Sequence, residues 1–350
     1  MGGTRKTVIK NVIPAFALVL ILAAALCACG GKTASEDKIP VKVLILPAFE
    51  IEKMSGDFPG EAQFYYEGYL QGGEEYVVEG AYGNGKLYYK DGVALCLLGE
   101  GKVSAALTTN SILSDARFDF SDAYILTTGC AGASVGNGTM GDVFVISSCV
   151  DYDLGHHADP REMTGDSETT WFHDEEFDPF AKVDLDPELT DKVYGMVKDT
   201  KLESTETTRK ILNKYYPDEA WAKRQPQVLK GTSATGDNFW KGDYDHQNAL
   251  LIVETYGCKD PYVATDMENI AVAQAVEGAG MLDRLIILRD AVNMDVFLPG
   301  MTPEGQWDPK SIESLASGDS SETIDIFPTA MENNFKVGDI IVQAILKGEF

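Results

Sequence analysis

"VKVLILPAF", residues 41–49, decides the fold class. Val, Leu and Ile fill its first six positions except Lys42, and Pro47 ends the run. A near-continuous apolar run of that length predicts a strand buried on both faces. Downstream, "GAYGNGKLYYKDGVALCLLG" (80–99) carries turn signals at Gly83-Asn84-Gly85 and Asp91-Gly92 and predicts a hairpin or meander. "KVSAALTTNSIL" (102–113) places Val103, Ala106, Leu107 and Ile112 at helical spacing. "AYILTTGCAGA" (123–133) predicts a strand running into a small-residue loop, and "GDVFVISSCVDY" (141–152) predicts another strand. Helices are expected within 188–200, 204–216, 267–280 and 337–348, with Gly278 and Gly280 suited to a C-terminal cap. "LDRLIILRD" (282–290) predicts a late buried strand. Strands alternating with helices around apolar strands imply an α/β layered fold.

The N-terminus bears on location. Arg5, Lys6 and Lys10 precede an apolar core, "VIPAFALVLILAAAL", and then "LCAC". This is the order of a secretory signal. The core is about 15 residues, short of the ~20 that span a bilayer comfortably. Leu26-Cys27-Ala28-Cys29 resembles a bacterial lipobox. Cleavage before Cys27 would leave bulky Leu26 at the cut, so Cys29, after Ala28, is the expected lipidation site. The alternative is an uncleaved anchor helix. The expected division is a signal peptide over 1–28, a flexible spacer over 29–40, and one domain over 41–350. That domain would lie on the outer face of the cell membrane.

Fifty-five acidic residues against 29 basic ones give a net charge of −26. Loss of residues 1–28 would make the chain more negative still. Such a surface repels phosphate backbones, so nucleic acid is excluded as a partner. Cys96 and Cys149 lie in strand-like runs and read as small buried apolar groups. Cys130 and Cys258 complete the domain's set, and the sequence does not pair them.

"DLGHHADPREM" (153–163) raises the question of a metal site, with Asp153, His156, His157, Asp159 and Glu162 close together. Four further motifs carry candidate chemistry. "LGEGKVSAAL" (98–107) opens a helix with Gly-x-Gly, whose N–H groups suit an anion or hydroxyl or simply form a turn. "TTGCAGA" (127–133) lets a ligand or a packed neighbour approach the backbone. "TGDNFWKG" (235–242) offers Phe239 and Trp240 for stacking or for the core. "VATDMENIAVAQAV" (263–276) places Asp266 and Glu268 at a helix start, where acids stabilise the helix. There Glu268 can also accept from a vicinal diol.

In their order, these segments resemble the nucleoside phosphorylase and nucleosidase superfamily over about residues 41–348. "GEGKVSAAL", "TTGCAGA", "MGDVFVIS", "TGDNFW" and "DMENIAVAQ" are similar to its successive motifs. "DLGHHADPREM", "FWKG", "TDMENIAVAQA" and "LRDAVNMD" together resemble the purine nucleoside permease family, a branch with the same fold. The resemblance implies a three-layer fold, a central mixed sheet flanked by helices. It makes 153–163 a family signature, with Asp153, His156, Asp159 and Arg161 in a charge-paired loop near the pocket and no metal. It implies no cofactor.

It also implies roles. Glu268 would hold the ribose hydroxyls, with Met267 beneath the sugar. Phe239 would stack on the purine beside Trp240. Cys130, Ala131 and Gly132 would line the base and sugar side. Asn293 stands where nucleosidases carry an acid that protonates the leaving base; an amide gives up no proton but can still hydrogen-bond the base. Glu52 falls at the position of the water-activating base. Phosphorolysis would need cations, and Lys53, Lys102 and Arg289 are the candidates.

Two functions stay open. In one, a lipid-anchored purine nucleoside-binding protein serves uptake and metabolism with a membrane transporter as partner. In the other, the same pocket hydrolyses the N-glycosidic bond, or, in a less favoured variant, phosphorolyses it. A homo-oligomer is a further expectation.

Overall fold

The computed structural model describes residues 38–163, 169–216, 218–300 and 325–350. The signal peptide, Cys29 and all of the spacer but residues 38–40 lie outside them. Pro40–Phe350 forms one compact unit.

The first strand, β1 (Val43–Leu46), is buried at all four positions. β2 (Glu74–Val77), β3 (Lys86–Lys90) and β4 (Val93–Cys96) form an antiparallel meander. Asp91 and Gly92 turn β3 into β4 with φ of 50° and 86°, the left-handed pair that a tight two-residue hairpin requires. There follow α1 (Lys102–Leu113), β5 (Tyr124–Ala133), β6 (Val143–Asp151), β7 (Lys182–Asp184), α2 (Pro187–Val197), α3 (Glu206–Tyr215), β8 (Val228–Thr235), α4 (Asp243–Thr255), β9 (Tyr262–Asp266), α5 (Asn269–Gly278), β10 (Leu285–Met294) and α6 (Ile326–Leu346).

The strands join in the order β7-β6-β8-β9-β5-β1-β4-β3-β2, and β10 pairs with both β5 and β6. Through β10 the strands β6, β8, β9, β5 and β10 close into a ring. The pairing is mixed: β1 runs parallel to β4 and β5, whereas β9 runs antiparallel to β5 and β10 antiparallel to β6. The main core sets Leu189 and Val193 of α2 and Val337 and Ile341 of α6 against Val43, Leu95, Val145 and Leu288 of the sheet. A second cluster packs Ala249, Ile252 and Val253 of α4 against Val150, Ala234 and Tyr262. The expected α/β architecture with a mixed sheet between helices is present.

Two expectations are corrected. "TTGCAGA" is no loop: β5 continues through Ala133, because β10 and β9 pair with its end. On α1 the inward face is only in part the stripe of Val103, Ala106, Leu107 and Ile112, of which Ile112 alone is buried. Val103 and Leu107 are 66% and 44% exposed, and Ala105, Thr108, Thr109 and Ile112 face in. Thr108 can be buried because its hydroxyl donates to Leu98 O at 2.8 Å and accepts from Tyr82 N at 2.8 Å. All four described cysteines are free. No helix among the described residues is long and apolar enough to cross a membrane.

Candidate functional site

The ends of β5 and β10 frame a cavity of about 230 Å3. Cys130 pairs with Asp290, Ala131 with Ala291 and Gly132 with Asn293, with Val292 as an extra residue between. This bulge re-aims the strand, so that Val292 and Asn293, consecutive residues, both line the cavity. β9 ends beside them, and Asp266 Oδ1 accepts from Glu268 N at 3.0 Å and Asn269 N at 2.7 Å. Those bonds start α5 and fix the Met267-Glu268 turn at the cavity wall.

Glu268 is buried, and both its oxygens have partners. Oε1 accepts from Gly101 N at 3.0 Å, and Oε2 lies 3.1 Å from Arg289 Nη2. The Gly-x-Gly helix start therefore gives an N–H to Glu268, and its next N–H, from Lys102, to Asp237 Oδ1 at 2.7 Å. Arg289 is itself fully buried. Its Nε donates to Asn269 Oδ1 at 2.8 Å and its Nη1 to Cys130 O at 3.2 Å.

A second buried acid faces the same cavity. Glu61 accepts from Ala48 N at 2.6 Å and Cys130 N at 2.8 Å. Glu50 closes the loop that delivers it, accepting from Ile51 N, Gly60 N and Ala62 N. Burial raises the pKa of Glu268 to about 7, with the nearby Arg289 countering and Glu61 and Asp266 adding to the rise. Burial also raises Glu61, again countered by Arg289. Asp290, held by Asn334 Nδ2 at 2.9 Å, is raised well above the carboxylate range by burial and by Glu61. Burial and Glu61 likewise push the Cys130 thiol upward. Several acids thus surround one guanidinium, and burial with their mutual repulsion favours their protonated forms against its pull.

Of the residues expected at the site, Cys130, Ala131, Gly132, Phe239, Trp240, Met267, Glu268 and Asn293 line this one cavity. Phe239 is 59% exposed at its rim. Trp240 is buried and stacks on Tyr152 at 4.7 Å, so it forms the wall behind Phe239. Asn293 Oδ1 is buried with no hydrogen-bond partner.

Glu52 is not among the lining residues. It sits exposed on the loop after β1 with φ of 52°, and the acid of this loop that lines the cavity is Glu61. Arg289, a candidate cation for phosphate in the sequence, and Glu61, which the sequence does not single out, also line the cavity. Glu61 is one of several acids between residues 50 and 67, and no spacing singles it out.

The loop 153–163 divides among separate pairs. Asp153 bonds to Lys102 at 2.8 Å, His156 to Asp174 at 2.8 Å, and Arg161 to Asp159 alone. Asp153, His156, Asp159 and Arg161 are thus all paired, as expected of this loop, but in separate pairs, of which the Asp153–Lys102 pair lies beside the loop that carries Phe239.

Residues 40–349 match the family model for the purine nucleoside permease (NUP). The chain belongs to the purine nucleoside permease family. A Schizosaccharomyces pombe protein described as a probable purine nucleoside permease is 26% identical over 223 residues. The match covers 56% of this chain and 63% of that relative, less than two thirds of its length. Among solved structures, the 5′-methylthioadenosine/S-adenosylhomocysteine nucleosidase of Neisseria meningitidis superposes with a TM-score of 0.52 at 17% identity, over 87% of this chain and 99% of that one. The corresponding nucleosidase of Streptococcus pneumoniae, in complex with 8-aminoadenine, gives 0.52 at 17% identity over 87% and 100%. A futalosine hydrolase mutant of Helicobacter pylori gives 0.51 at 17% identity over 85% and 99%. These likenesses establish that the permease-family chain has the nucleoside phosphorylase-like fold.

Proposed function

We propose that the cavity binds a purine nucleoside and that the chain is a lipid-anchored nucleoside-binding protein on the outer face of the membrane, serving uptake. One observation carries this reading: buried Glu268 stands in a cavity whose rim holds Phe239 and whose floor holds Asn293. A carboxylate accepts from a vicinal diol, a ring stacks on a base, and an amide meets the base edge. The family membership agrees with that ligand class. Cys29 would carry the lipid, and a separate membrane protein would carry the nucleoside across.

Hydrolysis of the N-glycosidic bond is the second reading, and Glu61 favours it. A buried carboxylate with a raised pKa, facing the same cavity as Glu268, suits a base that takes a proton from water. An ionised carboxylate beside the sugar would stabilise the oxocarbenium-like transition state. Phosphorolysis fits poorly. Arg289 is bound by Glu268 and Asn269, Lys102 by Asp151 and Asp153, and Lys53 is exposed outside the cavity lining, so none of the three expected cations is placed to meet phosphate there.

The test is binding by calorimetry to inosine, adenosine and guanosine, with free base followed by chromatography, with and without phosphate. Binding of intact nucleoside, lost in Glu268→Ala, supports the binding protein. Base release without phosphate, lost in Glu61→Gln, supports the hydrolase. Neither binding nor release would sink both.

A further inference from the structure

Lys102 stands at the first turn of α1, and its ammonium joins parts of the chain that are distant in sequence. Nζ lies 2.8 Å from Asp151 Oδ1 at the end of β6, 2.8 Å from Asp153 Oδ2 in the loop beyond, and 4.0 Å from Asp237 Oδ2 in the loop after β8. Its backbone N–H donates to Asp237 Oδ1 at 2.7 Å, and Asp237 N donates to Asp153 Oδ2 at 2.7 Å. The side chain is only 17% exposed. Asp151 is further fixed by Asp153 N at 2.8 Å and Leu154 N at 3.1 Å.

We propose that Lys102 is a positioning residue for the cavity, holding the 236–240 loop so that Phe239 forms the wall against which the base lies. This rests on the nucleoside reading above. Without the ammonium, Asp151, Asp153 and Asp237 face one another with no counter-charge. Like charges that close repel strongly in a half-buried setting. The bond between Asp237 N and Asp153 would then open, and with it the attachment of the loop to β6. The residue before Lys102 donates its N–H to Glu268. The same helix start thus sets both the proposed sugar acceptor and the ring at the rim. The lysine acts on ligand only through these partners.

The experiment uses the full chain and measures inosine affinity for wild type, Lys102→Met, Lys102→Arg, Phe239→Ala and the Lys102→Met/Phe239→Ala double variant. Asp237→Ala, at a half-exposed side chain, repeats the test without removing the lysine. Lost charge-assisted bonds of this kind weaken affinity by roughly tenfold or more. The expected result is such a weakening in Lys102→Met, a smaller one in Asp237→Ala, and recovery in Lys102→Arg. The effects of Lys102→Met and Phe239→Ala should not add, because one acts through the other. Additive effects would overturn the proposal. So would an unchanged affinity in both Lys102→Met and Asp237→Ala while Phe239→Ala binds weakly; that result would leave the nucleoside reading intact. Inorganic phosphate that binds wild type and not Lys102→Met would make the lysine an anion ligand instead, and also overturn it. A wild-type chain that binds no nucleoside fails the underlying reading and this proposal with it.

Discussion

Gly129 and Glu61 lie in contact at the cavity wall, so close that a Cβ on Gly129 would stand 2.4 Å from the carboxylate carbon. The glycine also has φ of 151°, which L side chains rarely adopt. Gly129→Ala is therefore expected to drive Glu61 out of its bonds with Ala48 and Cys130. Overpacking of this kind costs about 1–3 kcal/mol. Chemical denaturation reads the stability loss; a variant as stable as wild type would mean that Glu61 is not held as described.

Glu268 gives a pH dependence with a definite sign. Its carboxyl titrates at about 7 in the folded chain against an ordinary 4.5. The folded state thus binds more protons than the unfolded state between those values, and stability falls as pH rises through that window. The contribution is fully present below pH 4.5 and lost above 7. Glu61 and Asp290 are shifted in the same direction and steepen the fall. Glu268→Gln, which keeps an acceptor for Gly101 N, should flatten the slope between pH 5 and 7.5 in urea melts. An unchanged slope would place the titration elsewhere.

Binding should follow the opposite course over the same range. The ionised Glu268 is the better acceptor for two hydroxyls, so nucleoside affinity should rise from pH 6 to pH 8. Calorimetry with inosine at three pH values tests this, with 2′-deoxyinosine as the control that should show little rise.

Asn293 cannot give a proton to a leaving base. Asn293→Asp supplies an acid at the bulge, where burial would raise its pKa. If the chain cleaves nucleosides, release should quicken by about 10²-fold, the lower end of general acid effects. Chromatography of free base measures it. A slower variant would show that the amide's hydrogen bond matters more than proton supply.

The sequence made some of this legible and hid the rest for physical reasons. Met267-Glu268 and Asn293 could be placed because "TDMENIAVAQA" and "LRDAVNMD" resemble family motifs. The bonds from Glu268 N and Asn269 N to Asp266 then hold the first of these at the cavity wall. Glu61 was hidden because its selection is entirely tertiary: the N–H groups of Ala48 and Cys130, far from it in sequence, choose it over Glu52. The face of α1 was misread because apolar spacing ignores hydroxyls that find partners, as Thr108 does with Leu98 and Tyr82. The ring through β10 leaves no periodic trace, since periodicity reports which face is buried and not which strand lies beside it.

That ring also bears on how such a cavity can change over generations. Cys130, Ala131, Gly132 and Asn293 stand on strands hydrogen-bonded along both edges, so a substitution that shifts one strand strains all five. The loops that carry Glu61 and Phe239 are bound by a few carboxylate contacts and can be redrawn without disturbing the ring. New ligand preferences in relatives should accordingly accumulate in residues 49–61 and 236–240, leaving the strand ends as the inherited part of the site.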